Sequence, residues 1–396
     1  MKKIIIAFFS ILLFAFSGYS QKFNGLAPTP PMGWNNWSSG VEMNEQSFIQ
    51  IVDALISSGM KDAGYEYVNL DNGWQIDRNK KTGEIIPDTV RFPHGMKYLA
   101  DYCHAKGLKF GLYTDAGYEL CGGGLLLGSY GYETQDAETY AKWGVDFLKC
   151  DWCFHGTLFN EPTYRKLADA LYKAGHPIVF SLCEWGDSQP WLWAKDICQM
   201  WRTTGDIRDD WDSMMGIVDK EAYLWPYAGP DHWNDADILQ VGNGGMSPDG
   251  DKTHFTMWCM LASPLISGTD LRNMTEETKE ILTNTDMIAV DQDPLGMQAF
   301  RFEDDGDYEI WVKKLSGEEK AVCIINRSKD ERDAKIDFAR LLNAEGEHLV
   351  VPGKYSLSDY KVYDLWKHKK IMTDKEGMYE TRMPVRSVLA CRFIKK

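Results

Sequence analysis

From Leu26 to about Leu295, short apolar runs alternate with amphipathic stretches, and this alternation restricts the fold more than any other feature of the chain. Tyr65–Asp71, Leu108–Thr114, Val145–Asp151 and Pro177–Glu184 have the β-branched and aromatic content of strands buried on both faces. Met32–Trp37, Cys198–Asp206, Trp233–Leu239 and Pro264–Thr269 read as four more strands. Helical patterns lie between them over Glu45–Ser58, Met96–Lys106, Asp136–Trp143 and Thr163–Ala174, with a last one over Glu276–Asn284. Eight strands alternating with helices predict an α/β fold, a (β/α)8 TIM barrel, over residues 21–297. From Phe302 the pattern changes to short alternating runs such as Tyr308–Lys313, Ala321–Asn326, Tyr360–Leu365 and Ser387–Phe393. Gly306, Gly317 and Gly353 mark the turns, so residues 298–396 are expected to form a separate antiparallel β domain.

Residues 1–20 read as a secretory signal peptide. Lys2 and Lys3 are the basic head, Ile4–Phe16 the apolar stretch, and Ser17, Gly18 and Ser20 the small residues before a cut ahead of Gln21. The expectation is an exported protein, periplasmic or secreted. No later run reaches the ~18 apolar residues of a membrane span, so no membrane association is expected after processing. Export would place the nine cysteines in an oxidising compartment, and their odd number leaves at least one without an intrachain partner.

The chain has 58 Asp+Glu against 43 Lys+Arg, a net charge of -15, which argues against nucleic acid as a partner. Neutral ligands remain. The aromatic content (15 Trp, 19 Tyr, 17 Phe) suits the apolar faces of sugars as well as a core. The eight His show no metal spacing, and no cofactor is expected. Cys150–Cys153 is formally C-x-x-C, but it sits at a strand end and lacks a thioredoxin-like context.

In such barrels function resides at the carboxyl ends of the strands. Here those ends supply Asn35, Asn36 and Trp37; Asp71, Asn72 and Trp74; Tyr113 and Asp115; Lys149 and Asp151; Glu184 and Trp185; Arg202 and Asp206; Asp235 and Asp237. Asp and Asn at strand ends also serve as N-caps of the following helices. That role does not explain Lys149 two residues before Asp151, on the same strand face. Nor does it explain Trp beside polar residues at several ends; Trp37, Trp74, Trp152, Trp185, Trp201 and Trp233 are expected near a sugar. Paired carboxylates in an aromatic pocket point to glycoside hydrolysis. Asp151, with a cation at Lys149 to keep it ionised, fits the nucleophile. Asp206 fits the proton donor, with Arg202 on the same strand as a hydroxyl or carboxylate anchor.

Five segments, Leu26–Trp37 (LAPTPPMGWNNW), Phe147–Cys153 (FLKCDWC), Ser181–Gly186 (SLCEWG), Arg202–Ile207 (RTTGDI) and Gly229–Asp237 (GPDHWNDAD), occur in the order seen in glycoside hydrolase family 27. Together they resemble that family of α-galactosidases and α-N-acetylgalactosaminidases. The resemblance implies a retaining enzyme on a (β/α)8 barrel followed by a β-sandwich, with Asp151 as nucleophile and Asp206 as acid/base. It implies sugar contacts from Trp37, Asp71, Tyr113, Lys149, Glu184, Arg202 and Asp237, disulfides Cys121–Cys153 and Cys183–Cys198, and an α-galactosyl glycan as substrate. Two positions depart from the family pattern. Asn72 replaces the second of a paired Asp-Asp, which leaves β-L-arabinopyranosides or modified galactose open as alternative substrates. Cys150 stands where an aromatic residue is usual and is expected to pack away from the pocket. A non-catalytic carbohydrate-binding protein is the alternative of a different class; the presence of both carboxylates weighs against it.

Overall fold

The computed structural model describes residues 22–124 and 126–396. The signal-peptide segment lies outside the described residues. The first eight-stranded sheet is parallel throughout. Its strands are β1 (Met32–Asn35), β2 (Tyr67–Leu70), β3 (Lys109–Asp115), β4 (Phe147–Asp151), β5 (Val179–Cys183), β6 (Met200–Arg202), β7 (Trp233–Asp235) and β8 (Leu265–Ser267). Neighbours follow sequence order, and β8 returns to pair with β1. The last gap, between β7 and β8, closes through one residue: Leu239 N–H donates to Ile266 O at 2.8 Å and Leu239 O accepts from Gly268 N–H at 2.9 Å. The strand expected over Trp233–Leu239 is therefore broken. Asp237, at φ +83°, kinks the chain between Asp235 and the bridging Leu239. That kink turns the Asp237 carboxylate into the barrel mouth.

The helices are α1 (Glu45–Ser57), α2 (Gly95–Ala105), α3 (Glu133–Trp143), α4 (Asn160–Ala174), α5 (Trp211–Glu221), α6 (Pro248–Leu261), α7 (Glu276–Leu282) and α8 (Thr285–Asp291). Local chemistry sets several of the boundaries. Asn44 and Ser47 form a reciprocal capping box at the start of α1. Ser247 caps α6 with Pro248 in its first turn. Gly144 and Gly175 end α3 and α4 in the left-handed conformation. Between β5 and β6 there is no α-helix, only two short 3-10 turns (Pro190–Leu192 and Ala194–Asp196). The helices α5, α6 and α8 were not legible as amphipathic patterns. In α6 nearly every residue from Gly250 to Leu261 is buried, so its pattern carries no polar stripe.

The barrel interior is layered. Tyr67, Phe147, Val179, Met200 and Trp233 form an apolar plug at the amino-terminal end. One step along each strand, at the carboxyl end, the inward positions become Asn69, Lys149, Ser181, Arg202 and Asp235. The period-two alternation therefore carries the chain from packing to chemistry within two residues.

The second domain is a sandwich. A six-stranded antiparallel sheet contains β9 (Phe300–Asp304), β10 (Tyr308–Lys314), β11 (Lys320–Asn326), β13 (Tyr360–Asp364), β14 (Lys369–Lys370) and β16 (Ser387–Lys395). A two-stranded ribbon, β12 (Arg332–Asp337) with β15 (Met378–Met383), covers one of its faces. Ile310, Val312, Val322 and Ile324 point to the ribbon. Their neighbours Trp311, Cys323 and Ile325 join the barrel's core instead, so the sheet is buried on both sides.

Candidate active site

The floor of the site is a charge network at the carboxyl ends of β2, β4 and β6. Lys149 Nζ donates to Asp71 Oδ2 at 2.9 Å and lies 3.9 Å from Asp151 Oδ1. Its ammonium also sits 5.7 Å from the ring centroids of Trp37 and Tyr113. Burial alone would depress Lys149, but the adjacent Asp151 and Asp71 outweigh it and hold the amine well above its ordinary range. Asn35 links two site residues: its Nδ2 donates to Asp71 Oδ2 at 2.7 Å and its Oδ1 accepts from Trp37 N–H at 2.8 Å. Asn36 Oδ1 accepts from Asp71 N–H at 2.7 Å. The sequence placed both asparagines at the strand end, but their positioning roles become visible only in the structure.

Asp151 is 7% exposed. Its Oδ1 has no hydrogen-bond partner and its Oδ2 lies 3.2 Å from the Cys121 sulfur. Burial pushes its carboxyl up to about 6, with Lys149 pulling the other way. The Cys121–Cys153 disulfide is present and ties the β3–α3 loop to the residue two beyond Asp151. Closing that 32-residue separation is worth about 3–4 kcal/mol in the chain-entropy model.

Arg202 is 3% exposed and organises the other half. Its guanidinium reaches Asp237 Oδ1 at 2.9 Å and Asp206 Oδ1 at 3.0 Å. Asp237 Oδ2 accepts from Ile207 N–H at 2.8 Å, which fixes the segment carrying Asp206. The Asp206 side chain is 56% exposed at the rim. Thr203, at the root of that segment, is packed against Gly186. A side chain there would put Cβ 2.2 Å from Thr203 O, and the backbone is left-handed at φ +81°, so only glycine fits. Trp185, next to it, is itself held at φ +58°, a conformation that costs a non-glycine residue free energy and tends to occur at functional sites.

Two expectations need correction. The Cys183–Cys198 disulfide does not form; both thiols are free and buried. Ser181 pairs with Met200, so Cys183 lies two residues beyond that level and Cys198 two residues before it. At ~3.3 Å per residue the cysteines sit at opposite ends of neighbouring strands, beyond the reach of a disulfide. Glu184 is buried just beyond the end of β5; its Oε2 accepts from Asn160 Nδ2 at 2.7 Å and Ser188 N–H at 2.8 Å, and its Oε1 has no hydrogen-bond partner. Cys183 takes the inward position, 3.5 Å from Arg202 Nη1. Secondly, most of the strand-end tryptophans are core: Trp74, Trp152, Trp201 and Trp233 are buried. Only Trp37, 54% exposed, and the half-buried Trp185 remain at the mouth. Cys150 is buried among outward-facing core residues, away from the pocket. Asn72 donates its backbone N–H to Asp71 Oδ1 at 2.8 Å, and its side-chain amide lies beside Gly122 on the disulfide loop.

A barrel with one buried and one exposed carboxylate across a cation-lined mouth, closed behind by a β-sandwich, has the build of a glycoside hydrolase. The comparisons with known proteins narrow this. The family model described as alpha galactosidase A matches residues 29–293, and that of the alpha galactosidase C-terminal beta sandwich domain matches residues 305–393. Alpha-galactosidase A of Cellvibrio japonicus is 48% identical over 342 residues, covering 83% of this chain and 84% of that one. The alpha-galactosidase of Cyamopsis tetragonoloba is 41% identical, covering 87% and 81%. The crystal structure of alpha-galactosidase I from Mortierella vinacea superposes with a TM-score of 0.86 at 34% identity, covering 94% and 98%. The chain belongs to the alpha-galactosidase (melibiase) family.

Proposed function

We propose that this protein is a retaining exo-α-galactosidase. The observation that carries the reading is Asp151. It is a buried carboxylate with one unpartnered oxygen at the carboxyl end of β4, and the exposed Asp206 follows the end of β6. Trp37 lies against the face of a terminal galactosyl unit, and Asp71, Lys149 and Asp237 take its hydroxyls. Asp151 attacks the anomeric carbon while Asp206 gives its proton to the departing glycosidic oxygen. Asp206 then removes a proton from water, whose oxygen displaces Asp151 and releases galactose with its configuration retained. Lys149 and Arg202 keep charge near both carboxylates without bonding to Asp151 directly, which leaves the nucleophile free to attack. Export is part of the proposal, supported by the amino-terminal Lys2–Lys3 head and the apolar run after it. Among the described residues no helix is long and apolar enough to cross a membrane.

One observation supports a second substrate: Asn72 is tied to Asp71 by its backbone N–H and carries a side-chain amide beside Gly122, so the position offers a donor and no charge, which would suit a sugar without a hydroxymethyl group. Hydrolysis rates on aryl α-D-galactoside, β-L-arabinopyranoside and α-N-acetylgalactosaminide, measured side by side, test both readings. The first substrate is expected to be cleaved fastest. A chain that cleaves neither of the first two overturns the assignment.

A further inference from the structure

The segment from Thr203 to Ile207 carries Asp206 away from the end of β6. Its far end is firmly tied, with Ile207 N–H donating to Asp237 Oδ2 at 2.8 Å. Its root is held more loosely by the backbone. Thr203 N–H reaches Asp235 O at 3.3 Å and Arg202 Nη2 reaches Thr204 O at 3.2 Å, both at or past the long end of the usual range. Gly205, between the two ends, would accept a Cβ with no heavy atom within 4 Å, so packing does not fix the middle. The root has one further tie, and it is a side chain: the Thr203 hydroxyl donates to Oε1 of Glu221, with Asp235 O further off at 3.2 Å. We propose that Glu221 is a positioning residue for the acid/base: from the end of α5 its carboxyl fixes Thr203, and through Thr203 it sets where Asp206 stands relative to the departing glycosidic oxygen. This rests on the reading of Asp206 as the acid/base.

On stability alone a carboxyl is a poor choice at this place. Glu221 is the last residue of α5 and is 1% exposed. A negative charge in the last turn of a helix opposes the macrodipole. Its Oε2 has no hydrogen-bond partner, and an unpartnered buried oxygen costs free energy. An apolar side chain of similar size would avoid both penalties. Burial pushes the Glu221 carboxyl up to about 8, with the bond from Thr203 pulling the other way and Asp235 adding to the rise. At neutral pH the group is therefore mostly protonated. It serves Thr203 as a hydrogen-bonding group and not as a counter-ion, a service that a glutamine of the same shape can also perform.

The backbone that carries this carboxyl is braced against the strands of the site. Glu221 O accepts from Gln298 Nε2 at 2.7 Å and from Leu224 N–H at 2.9 Å. Gln298 Oε1 accepts from Asn234 Nδ2 at 2.9 Å, and Asn234 Oδ1 accepts from Trp201 Nε1 at 2.9 Å. Trp201 and Asn234 are paired across β6 and β7. Glu221 is thereby held in register with the strand that ends in Arg202 and with the one that ends in Asp235. Thr203 has its carbonyl against the Gly186 backbone and its hydroxyl on Glu221, and Asp206 stands three residues further along.

A proton donor displaced by ~1 Å costs about 10²-fold where the leaving group needs its proton. A leaving group that departs without a proton escapes that loss. The test therefore compares kcat/KM of the full chain on phenyl and dinitrophenyl α-D-galactosides. The ratio of the two values on one sample does not depend on how much of the sample is folded, so a merely structural defect leaves it unchanged. Thr203→Val, which removes the hydroxyl and keeps the shape, and Glu221→Leu are each expected to lower the phenyl value about tenfold more than the dinitrophenyl value. Glu221→Gln keeps an acceptor for the Thr203 hydroxyl and is expected to restore the wild-type ratio. Equal losses on both substrates, an unchanged ratio in Thr203→Val, or a Glu221→Gln ratio equal to that of Glu221→Leu overturns the proposal. If Glu221→Leu does not fold, Thr203→Val decides by its ratio alone. Asp206→Asn separates this role from the reading beneath it. If it shifts the ratio and Thr203→Val does not, the positioning role falls and Asp206 remains the acid/base. If Asp206→Asn leaves the ratio unchanged, both fall.

Discussion

Asp151 and Asp206 sit two strands apart on the same barrel mouth and live in opposite surroundings. Asp151 is buried, pressed against a disulfide sulfur, with its nearest cation 3.9 Å away and one oxygen unpartnered. The Asp206 side chain is 56% exposed and held by one ion pair, 3.0 Å from Arg202. The difference matches what each step demands. A nucleophile must stay in place and keep a lone pair free, and Asp151 has a place on its strand and an unpartnered Oδ1. An acid/base must exchange its proton with water once per turnover, so it stays in contact with solvent. In the proposed mechanism, two residues of one type take separate roles that follow their surroundings.

The largest test of that contrast is Asp151→Asn. The amide keeps the volume and removes the nucleophile, so kcat is expected to fall on the order of 10⁴-fold or more. Galactose binding by calorimetry should survive; a residual kcat within a hundredfold of wild type would break the comparison at its deeper side. Asp206→Asn should cost about 10²–10⁴-fold, and unevenly. Substrates with activated aryl leaving groups need little proton donation and should lose least, whereas an equal loss on all substrates would remove Asp206 from the proton transfer. The pH profile comes next. Burial places the Asp151 proton near pH 6, above the ordinary carboxylate range, and only the ionised form attacks. Activity should therefore fall about tenfold per pH unit as pH drops below about 6. An acidic limb near pH 4 would mean that Lys149 controls Asp151 more strongly than its desolvation does.

Much of this site could be read from the chain, and the unread parts share a cause. Lys149 and Asp151 were paired by strand periodicity, and Arg202 and Asp206 by lying near one strand end; both inferences need only local geometry. The same periodicity puts Cys183 on the inward face beside Arg202, and the strand ends there, one residue before Glu184. The separation of Cys183 from Cys198 and the kink at Asp237 depend on register between strands, which a single sequence does not encode. Helix α6 went unread because it lies between the barrel and the sandwich and is buried almost all round. The strand-end tryptophans misled for a related reason: a large ring at a strand end serves a core as well as it serves a ligand.

Asn72→Asp should have a smaller effect than either carboxylate substitution. It restores an acceptor and a charge beside Asp71, and a hydrogen bond to a charged partner exceeds a neutral one by ~1 kcal/mol. A rise of several-fold in α-galactoside kcat/KM over β-L-arabinopyranoside is expected. An unchanged or reversed ratio would show that Asn72 does not read the sugar.

Glu184→Gln should change catalysis least, and it sharpens the comparison by adding a third carboxylate from a neighbouring strand end. Burial pushes the Glu184 carboxyl up to about 7, partly offset by its bonds from Ser188 and Asn160. Because its folded value lies above the ordinary one, folding takes up a proton there. The stability it confers is present at low pH and is lost as pH rises through about 7. The glutamine variant lacks that dependence, so its Tm should gain on wild type between about pH 4.5 and pH 7 and keep a constant lead above that, while KM and kcat stay within about twofold because Oε2 is already bonded. A tenfold rise in KM with no change in the pH dependence of Tm would put Glu184 on the sugar after all. The unpartnered Oε1 of Glu184 would then be the atom that reads the sugar.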